Sequence, residues 1–152
     1  MTELVINVLG TPAPKGSNRA MLRGGRAVFI PGGSKTNQDA LQSWAGSVRL
    51  AAQSFVSEQT SPVFTQVPVA VAITFRLRRP GGHWSKKGGL RTSAPIAPCV
   101  KPDLDKLVRA TLDALSGVVF DDDSRIVETT SRKQYAKPGH EGAEIRVWEW
   151  KC

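Results

Sequence analysis

Cysteine and histidine are scarce in this sequence, which contains only Cys99, Cys152, His83 and His140. Two cysteines are too few for a disulfide-stabilised scaffold, and the four residues have no recognisable zinc-ligand spacing. We therefore expect both thiols to be free, and we exclude a zinc centre built from cysteine and histidine.

Long apolar runs are also missing. No segment approaches the roughly 20 apolar residues that cross a bilayer, and the N-terminus lacks the basic-then-apolar plan of a signal peptide. We expect no membrane partner and a cytoplasmic location. The hydrophobic fraction of 40% and the charged fraction of 22% are ordinary for a globular protein, so we expect residues 1–152 to form a single domain with a substantial core.

Acidic residues are rare in the first two thirds of the chain. Residues 1–102 contain 13 Lys and Arg but only three acids, a balance of +10, whereas residues 103–152 contain eight Lys and Arg and ten acids, a balance of −2. A basic body of this kind attracts a polyanion, and a local carboxylate cluster needs metal ions to approach the same polyanion. The uneven charge therefore predicts a phosphodiester substrate.

Most of the basic residues lie in two segments that contain few acids. We interpret them, with two lysines next to the acidic region, as phosphate contacts; the alternative is an ordinary solvated face. The candidate DNA-binding residues are Lys15, Arg19, Arg23, Arg26, Arg76, Arg78, Arg79, Lys86, Lys87, Arg91, Lys101 and Lys106.

Hydrophobic periodicity predicts an α+β fold, a single-layer mixed β-sheet of about four or five strands with two main helices packed on it. A glycine-rich basic stretch, about 80–100, is predicted to be a mobile loop. The predicted strands are 4–9, 27–30, 67–77, 125–136 and 142–150, and the predicted helices are 35–57 and 103–116. The predicted apolar face of the first helix consists of Leu41, Trp44, Val48, Ala52 and Phe55.

Three tryptophans lie outside that helix. Trp84, in the glycine-rich loop, either stacks on a nucleic acid or anchors the loop on the domain. Trp148 and Trp150 share one face of the last predicted strand, where we expect them to contribute to a dimer interface.

Two acidic clusters are the most informative feature of the chain. Asp103 and Asp105 stand at the predicted start of the second helix, where the cap and the first turn can direct both carboxylates to one point. Residues 121–123 are three consecutive aspartates that follow the helix, and we expect a helix-turn-strand return to bring them beside the first cluster. Such oxygen-rich sites suit Mg²⁺, with Mn²⁺ as a possible substitute. Arg109, one turn after Asp105, is placed to meet the charge that develops on a phosphate.

Structural interpretations of the same residues stay open. Asp103 can act only as a helix cap, and the triple aspartate can be a solvated turn. Asp105, Arg109 and Asp113 can form a surface ladder of ion pairs. A calcium loop is excluded, because with Asp121 as its first residue Ile126 would occupy the required glycine position.

The segment from Lys101 to Ile126, KPDLDKLVRATLDALSGVVFDDDSRI, resembles the signature of RusA-like Holliday junction resolvases, which are common in phages and prophages. The family pattern reads Pro-Asp-x-Asp-Asn, then a basic residue, Asp-Ala-Leu-x-Gly and Asp-Asp before an Ile or Val. Residues 10–19, GTPAPKGSNR, also resemble the opening motif of that family. The resemblance spans most of the chain, although residues 20–100 match only in layout.

The resemblance implies roles for individual residues. Asp103, Asp105 and Asp123 match the metal-binding catalytic acids, and Asp122 is a further member of the acidic pair. It implies a Mg²⁺-dependent homodimer that needs no small-molecule cofactor and makes paired cuts across a four-way DNA junction. The cuts leave a 3′-hydroxyl and a 5′-phosphate.

The sequence departs from the family pattern at two positions. Lys106 stands where the family usually has Asn, and Arg109 stands where a catalytic Lys is typical. Arg keeps the positive charge but changes the donor geometry. Two alternative functions remain: a non-catalytic DNA-binding or packaging module, and a nuclease for flaps or other branched DNA.

Overall fold

The structure is a computed structural model that describes residues 3–16, 19–30, 34–56 and 62–152, with the backbone alone described at residues 19–21 and 29–30. It confirms the predicted α+β fold and adds one strand, β2, that the sequence did not predict. Two 3₁₀ turns lie at Gly81–His83 and Asp123–Arg125. The main elements are β1 (Glu3–Leu9), β2 (Arg19–Arg23), β3 (Arg26–Ile30), α1 (Lys35–Val56), β4 (Val69–Leu77), α2 (Leu104–Leu115), β5 (Ile126–Tyr135) and β6 (Gly142–Glu149).

The main sheet has four strands in the order β1-β6-β4-β5. β6 is antiparallel to both of its neighbours, whereas β4 and β5 are parallel. β1, β4 and β5 therefore run in one direction. We call the end of the sheet at which these three strands finish the upper edge. The opposite end, at which they begin, is the lower edge. β2 and β3 form a separate antiparallel hairpin.

The core lies between one face of this sheet and the two helices. Alternate residues of β4, from Val69 to Phe75, face the helices and are almost fully buried, as the period of a strand requires. α1 contributes a buried stripe of Trp44, Val48, Ala52 and Val56. The prediction that Phe55 belongs to this stripe is wrong: the stripe continues in steps of four to Val56, and Phe55 is 45% exposed.

A buried polar contact joins the two helices. The indole N–H of Trp44 donates to Oγ1 of Thr111 at 3.1 Å, and the Thr111 hydroxyl donates to the carbonyl of Leu107 at 2.9 Å. A buried hydroxyl that accepts one hydrogen bond and donates another restricts how its neighbours pack. The contact therefore sets the position of α2 on α1. No helix in the described ranges is long and apolar enough to cross a bilayer.

α2 runs antiparallel to β5. Its first turn lies near the upper edge, because the backbone N–H of Lys15, in the segment after β1, donates to the carbonyl of Lys106 at 3.1 Å. Its last turn lies near the lower edge, because the chain that follows it pairs with Phe64, shortly before β4. β5 then starts at the lower edge, close to where α2 ends.

Residues 80–100 have more regular contacts than their composition predicted. Trp84 and Leu90 form an isolated β-bridge, and the backbone N–H of Arg91 donates to the carbonyl of His83 at 2.9 Å. His83 also meets Tyr135 edge-on, with ring centroids 5.4 Å apart. These contacts attach the loop to the end of β5, while its mobility stays a prediction.

We predict that Gly142→Ala destabilises the fold by roughly 2–4 kcal/mol. Gly142 has a φ of +149°, and a Cβ at this position would lie 1.8 Å from the carbonyl oxygen of Val8 in the paired strand. The free energy of unfolding in urea measures the effect. Gly46→Ala is the matched control: nothing lies within 4 Å of its Cβ position inside α1, so it should stabilise the protein by about 1 kcal/mol. Unchanged stability of Gly142→Ala would contradict the close approach of β1 and β6.

Candidate active site

The first acidic cluster stands where the chain enters α2, directly after a cis Lys101–Pro102 peptide bond. Asp103 occupies the N-cap position with extended backbone, but its side chain makes no capping hydrogen bond. Its carboxylate is 49% exposed, and its Oδ2 lies 3.4 Å from Nζ of Lys106. Asp105, in the first turn, is also exposed. The two carboxylates thus present oxygen atoms to solvent beside the positive end of the helix dipole.

The predicted ladder of ion pairs along α2 is not observed: among the described residues, no ion pair joins Asp105, Arg109 and Asp113 to one another. Asp105, Arg109 and Asp113 are all exposed on the flank away from the core. Asp113, however, forms an ion pair with Lys15, which lies 98 residues earlier in the sequence. This contact holds the segment after β1 against α2 and gives Asp113 a structural partner outside the helix.

Asp121, the first residue of the second cluster, is a structural residue. Its two carboxylate oxygens accept hydrogen bonds from Nε and Nη2 of Arg125, each at 3.1 Å, and its backbone N–H donates to the carbonyl of Phe64 at 3.1 Å. The bonded guanidinium of Arg125 holds the pKa of Asp121 below its ordinary value. Asp121 therefore fastens this turn to the lower edge of the sheet.

Asp122 and Asp123 are both exposed. Oδ1 of Asp122 accepts a hydrogen bond from the backbone N–H of Ser124 at 2.8 Å, which lowers the pKa of this carboxyl. Asp123 begins the 3₁₀ turn that leads into β5. Both carboxylates are thus presented at the lower edge, and Asp122 stays ionised at neutral pH.

The two clusters lie at opposite ends of α2 within one copy of the chain. The helix has 12 residues, so its ends are separated by about 18 Å at the usual rise per residue. After the helix, the N–H of Gly117 donates to the carbonyl of Phe120 at 2.8 Å, which keeps the chain at the lower edge. The predicted return of residues 121–123 to Asp103 within one copy is therefore wrong.

The donor chemistry of these residues suits a hard cation, but their arrangement in one copy is incomplete. Carboxylate oxygens are the ligands that Mg²⁺ and Mn²⁺ prefer. Across the described residues, however, no three His, Cys, Asp or Glu side chains come together in a way that could hold a metal ion. The assignments of Asp103, Asp105, Asp122 and Asp123 as metal ligands stay predictions.

Lys133 is a positioning residue that the sequence analysis missed. From β5, its half-buried Nζ donates to the carbonyls of Val100 at 2.6 Å and Pro102 at 2.9 Å. These bonds hold the chain immediately before Asp103 on the sheet. Strand alternation could have identified it. Lys133 pairs with Phe75 and so lies on the side of the sheet that faces the helices. A lysine on that side needs a hydrogen-bond partner.

Several predicted DNA contacts have structural partners. The guanidinium of Arg79 lies 4.2 Å from the centre of the Tyr135 ring and donates to the carbonyl of Pro95 at 2.8 Å. Arg91 donates from Nε to the carbonyl of Trp84 at 2.9 Å, and Arg76 donates from Nε to the carbonyl of His140 at 2.9 Å. Trp84 is half-buried, as expected of a loop anchor. Arg79 and Arg91 thus help to shape the basic loop.

Other predicted contacts lie on the surface. The hairpin of β2 and β3 presents two arginines beside its turn, and the side chain of Arg19 lies outside the described part of the structure. Lys15 and Lys106 are half-buried and take part in the ion pairs described above. The exposed basic candidates are Arg23, Arg26, Arg78, Lys86, Lys87, Arg91, Lys101 and Arg109.

Comparison with known proteins identifies one family. The family described as Endodeoxyribonuclease RusA matches residues 10–147. A search of curated proteins finds no match. One solved structure found in the comparison is 2C-methyl-D-erythritol 2,4-cyclodiphosphate synthase from Plasmodium vivax. The alignment covers 98% of this chain and 95% of the other, with 13% sequence identity and a TM-score of 0.24.

We predict that Lys133→Met destabilises the protein by about 1–2 kcal/mol, because it removes two charge-assisted hydrogen bonds from a half-buried position. Amide hydrogen exchange should rise in residues 98–105 more than elsewhere. Lys137→Met, which removes an exposed lysine beyond the end of β5, is the control and should leave both properties unchanged. Equal effects of the two substitutions would contradict the positioning role.

We also predict a pH-dependent effect of Asp121→Asn. Because the folded-state pKa of Asp121 is lowered from 3.8, its ion pair stabilises the fold above that pH, and the stabilisation is lost as the pH falls below it. Urea unfolding should therefore give the variant a lower free energy of unfolding than the wild type at pH 7. This deficit should disappear as the pH is lowered to 2. Asp39→Asn, an exposed substitution in α1, should show no such trend. A deficit that persists in strong acid would contradict the ion-pair explanation.

Proposed function

The chain belongs to the RusA endodeoxyribonuclease family, and on this basis we propose that it is a divalent-metal-dependent endonuclease that resolves four-way DNA junctions by paired cuts. The observation that carries the proposal is the family match over residues 10–147, which includes both acidic clusters. The exposed carboxylates at the start of α2, in an otherwise basic chain, support it.

The residues that would hold the metal are Asp103, Asp105, Asp122 and Asp123. Mg²⁺ is the expected ion and Mn²⁺ a possible substitute, because both prefer carboxylate oxygens. When bound, such an ion neutralises phosphate charge and lowers the pKa of a coordinated water. The absence of a capping bond at Asp103 supports this assignment, since the carboxylate is not committed to the backbone.

Arg109 is the residue we assign to stabilising charge on the substrate. It is exposed one turn after Asp105 on the same flank of α2, so a phosphate held near the start of the helix lies within reach of its guanidinium. Its planar fork can donate two hydrogen bonds to phosphate oxygens, a geometry that a lysine does not offer.

The exposed basic residues would bind the arms of the junction through phosphates. Two of them, Arg23 and Arg26, flank the turn of the β2–β3 hairpin, and others lie in the loop of residues 80–100. Phosphate contacts release counterions, so affinity should fall steeply with salt. We propose a homodimeric, cytoplasmic protein of phage or prophage type, with no membrane partner and no small-molecule cofactor.

We predict that the protein makes symmetric nicks in a synthetic mobile four-way junction with Mg²⁺ and makes none in EDTA. Asp105→Asn should reduce cutting by more than the roughly 10–100-fold that the loss of an outer-shell partner causes. Junction binding should persist or tighten, because a negative charge is removed beside the DNA. Denaturing gels measure the nicks, gel shifts measure binding, and Asp39→Asn is the control that should cut normally.

The choice of substrate separates the alternatives. Junction binding without cutting in any divalent metal would favour the non-catalytic DNA-binding or packaging module. Faster cutting of flaps or linear duplex than of the junction would favour the branched-DNA nuclease. Preferred cutting of the junction at paired positions supports the resolvase.

A further inference from the structure

A cavity that contains none of the candidate metal ligands lies at the upper edge of the sheet. It opens where β4 and β5 end and β6 begins, and its volume is about 140 Å³. Resting on the proposed function, we infer that this cavity holds one nucleotide of the DNA junction that has left its base stack. The residues that carry the inference line the cavity: Arg78, Arg79, Trp84, Pro138 and Glu141.

Two charged side chains in the cavity wall lack a partner. Arg78 is exposed and Glu141 is half-buried. Within the described ranges, neither side chain forms a hydrogen bond or an ion pair. A carboxylate that loses water without gaining a donor costs free energy, so Glu141 needs a ligand that donates a hydrogen bond. Arg78 needs an anion. The ligand therefore carries both a negative charge and a hydrogen-bond donor.

Trp84 adds an aromatic group to the same wall, where it is half-buried. Nucleobases stack on aromatic side chains, because every base has a π-face. The cavity is also smaller than the roughly 300–1,000 Å³ of sites for drug-sized ligands, so it suits a single planar ring system. A nucleotide meets each requirement, with its phosphate on Arg78, its ring on Trp84 and a donor group on Glu141.

The walls of the cavity are held in place by the protein itself. The carbonyl of Trp84 accepts a hydrogen bond from Nε of Arg91 at 2.9 Å, and the carbonyl of Glu141 accepts one from the backbone N–H of Gly10 at 3.1 Å. Arg79 is held by the ring and carbonyl contacts described above. A site that is formed in advance loses less conformational entropy on binding.

β5 connects the cavity with the start of α2. Tyr135, whose ring holds Arg79 of the cavity wall, lies two residues beyond Lys133, which binds the carbonyl of Pro102. Two residues of a strand span about 7 Å. The cavity therefore lies close to Asp103, and its nucleotide lies close to the phosphate that would be cut. Unstacking costs least where base pairing is already interrupted, as it is at a branch point.

Glu141 gives the cavity a selectivity. An ionised carboxylate only accepts hydrogen bonds. Adenine, cytosine and guanine carry an exocyclic amino group that donates, and thymine does not. We therefore expect one position near the branch point at which a base with an amino group is preferred.

An abasic scan tests the stacking contact. Gel shifts in EDTA compare junctions that carry one abasic site at successive positions around the branch point. One position should weaken binding to the wild type by roughly 5–100-fold, the effect of losing one base stacked on an aromatic ring. Trp84→Ala should bind this abasic junction as well as it binds the intact junction. Phe55→Ala, which removes an exposed aromatic ring from α1, is the control and should keep the wild-type scan. A flat scan of the wild type, or a loss that persists in Trp84→Ala, would overturn the inference.

Removal of one amino group tests the contact with Glu141. At the position that the scan identifies, adenine is replaced by purine, which lacks only the amino group. The wild type should bind the purine junction roughly 10-fold more weakly, because a hydrogen bond to a charged group is lost. Glu141→Met has no acceptor and should not show this difference, while the weaker pairing of purine affects both proteins alike. Glu144→Met, in β6, is the control and should behave as the wild type. An adenine preference that survives in Glu141→Met would overturn the assignment.

Free nucleotides distinguish a DNA subsite from a site for a soluble nucleotide. One base and one phosphate lack the contacts of the junction arms, so calorimetry with dAMP should give a dissociation constant above about 1 mM. A micromolar constant that Glu141→Met abolishes would make the cavity a site for a soluble nucleotide and would overturn the DNA subsite.

Failure of this inference is distinguishable from failure of the proposed function. The binding experiments are performed in EDTA and do not require cutting. A protein that nicks junctions but gives a flat abasic scan retains the proposed function and lacks the nucleotide site. A protein that cuts no junction in any divalent metal but shows the scan position and its dependence on Trp84 retains the site and lacks the proposed function.

Discussion

α2 acts as a rigid spacer, and the position of every candidate site residue depends on it. Lys133 fixes the backbone before its first turn, the Trp44–Thr111 bond fixes its middle, and the pairing of Phe120 with Phe64 fixes the chain after its last turn. Because α2 is held at three points, its length and its orientation on the sheet are fixed. The distance between the acidic clusters is therefore a property of the fold.

The elements of the fold could be predicted because their signals are local. The alternation from Val67 to Leu77 reports a strand that is buried on one face, and the observed β4 begins only two residues later than the predicted strand. Gly117 has a φ of +80°, a conformation that glycine adopts easily, and it follows the end of α2 as predicted. Periodicity and turn chemistry act over a few residues, so one sequence is enough to locate these elements.

The relation between elements could not be predicted, because it depends on partners that are distant in the sequence. Nothing near Lys15 indicates that Asp113 will pair with it, and nothing near Asp121 indicates Phe64 as its backbone partner. The expected convergence of the acids followed the chain through the turn correctly, but it ignored the length and direction of α2. Residue types thus suggested the chemistry, whereas topology decided how far apart the two acidic clusters lie.

The parallel pairing of β4 with β5 places every candidate metal ligand in the single connection between these strands. Parallel neighbours cannot be joined by a tight turn, and long connections close slowly because their ends must first find each other. Pairing of β4 with β5 closes a loop that contains all four candidate carboxylates, so the two acidic clusters take their final relative positions only when this long-range pairing forms.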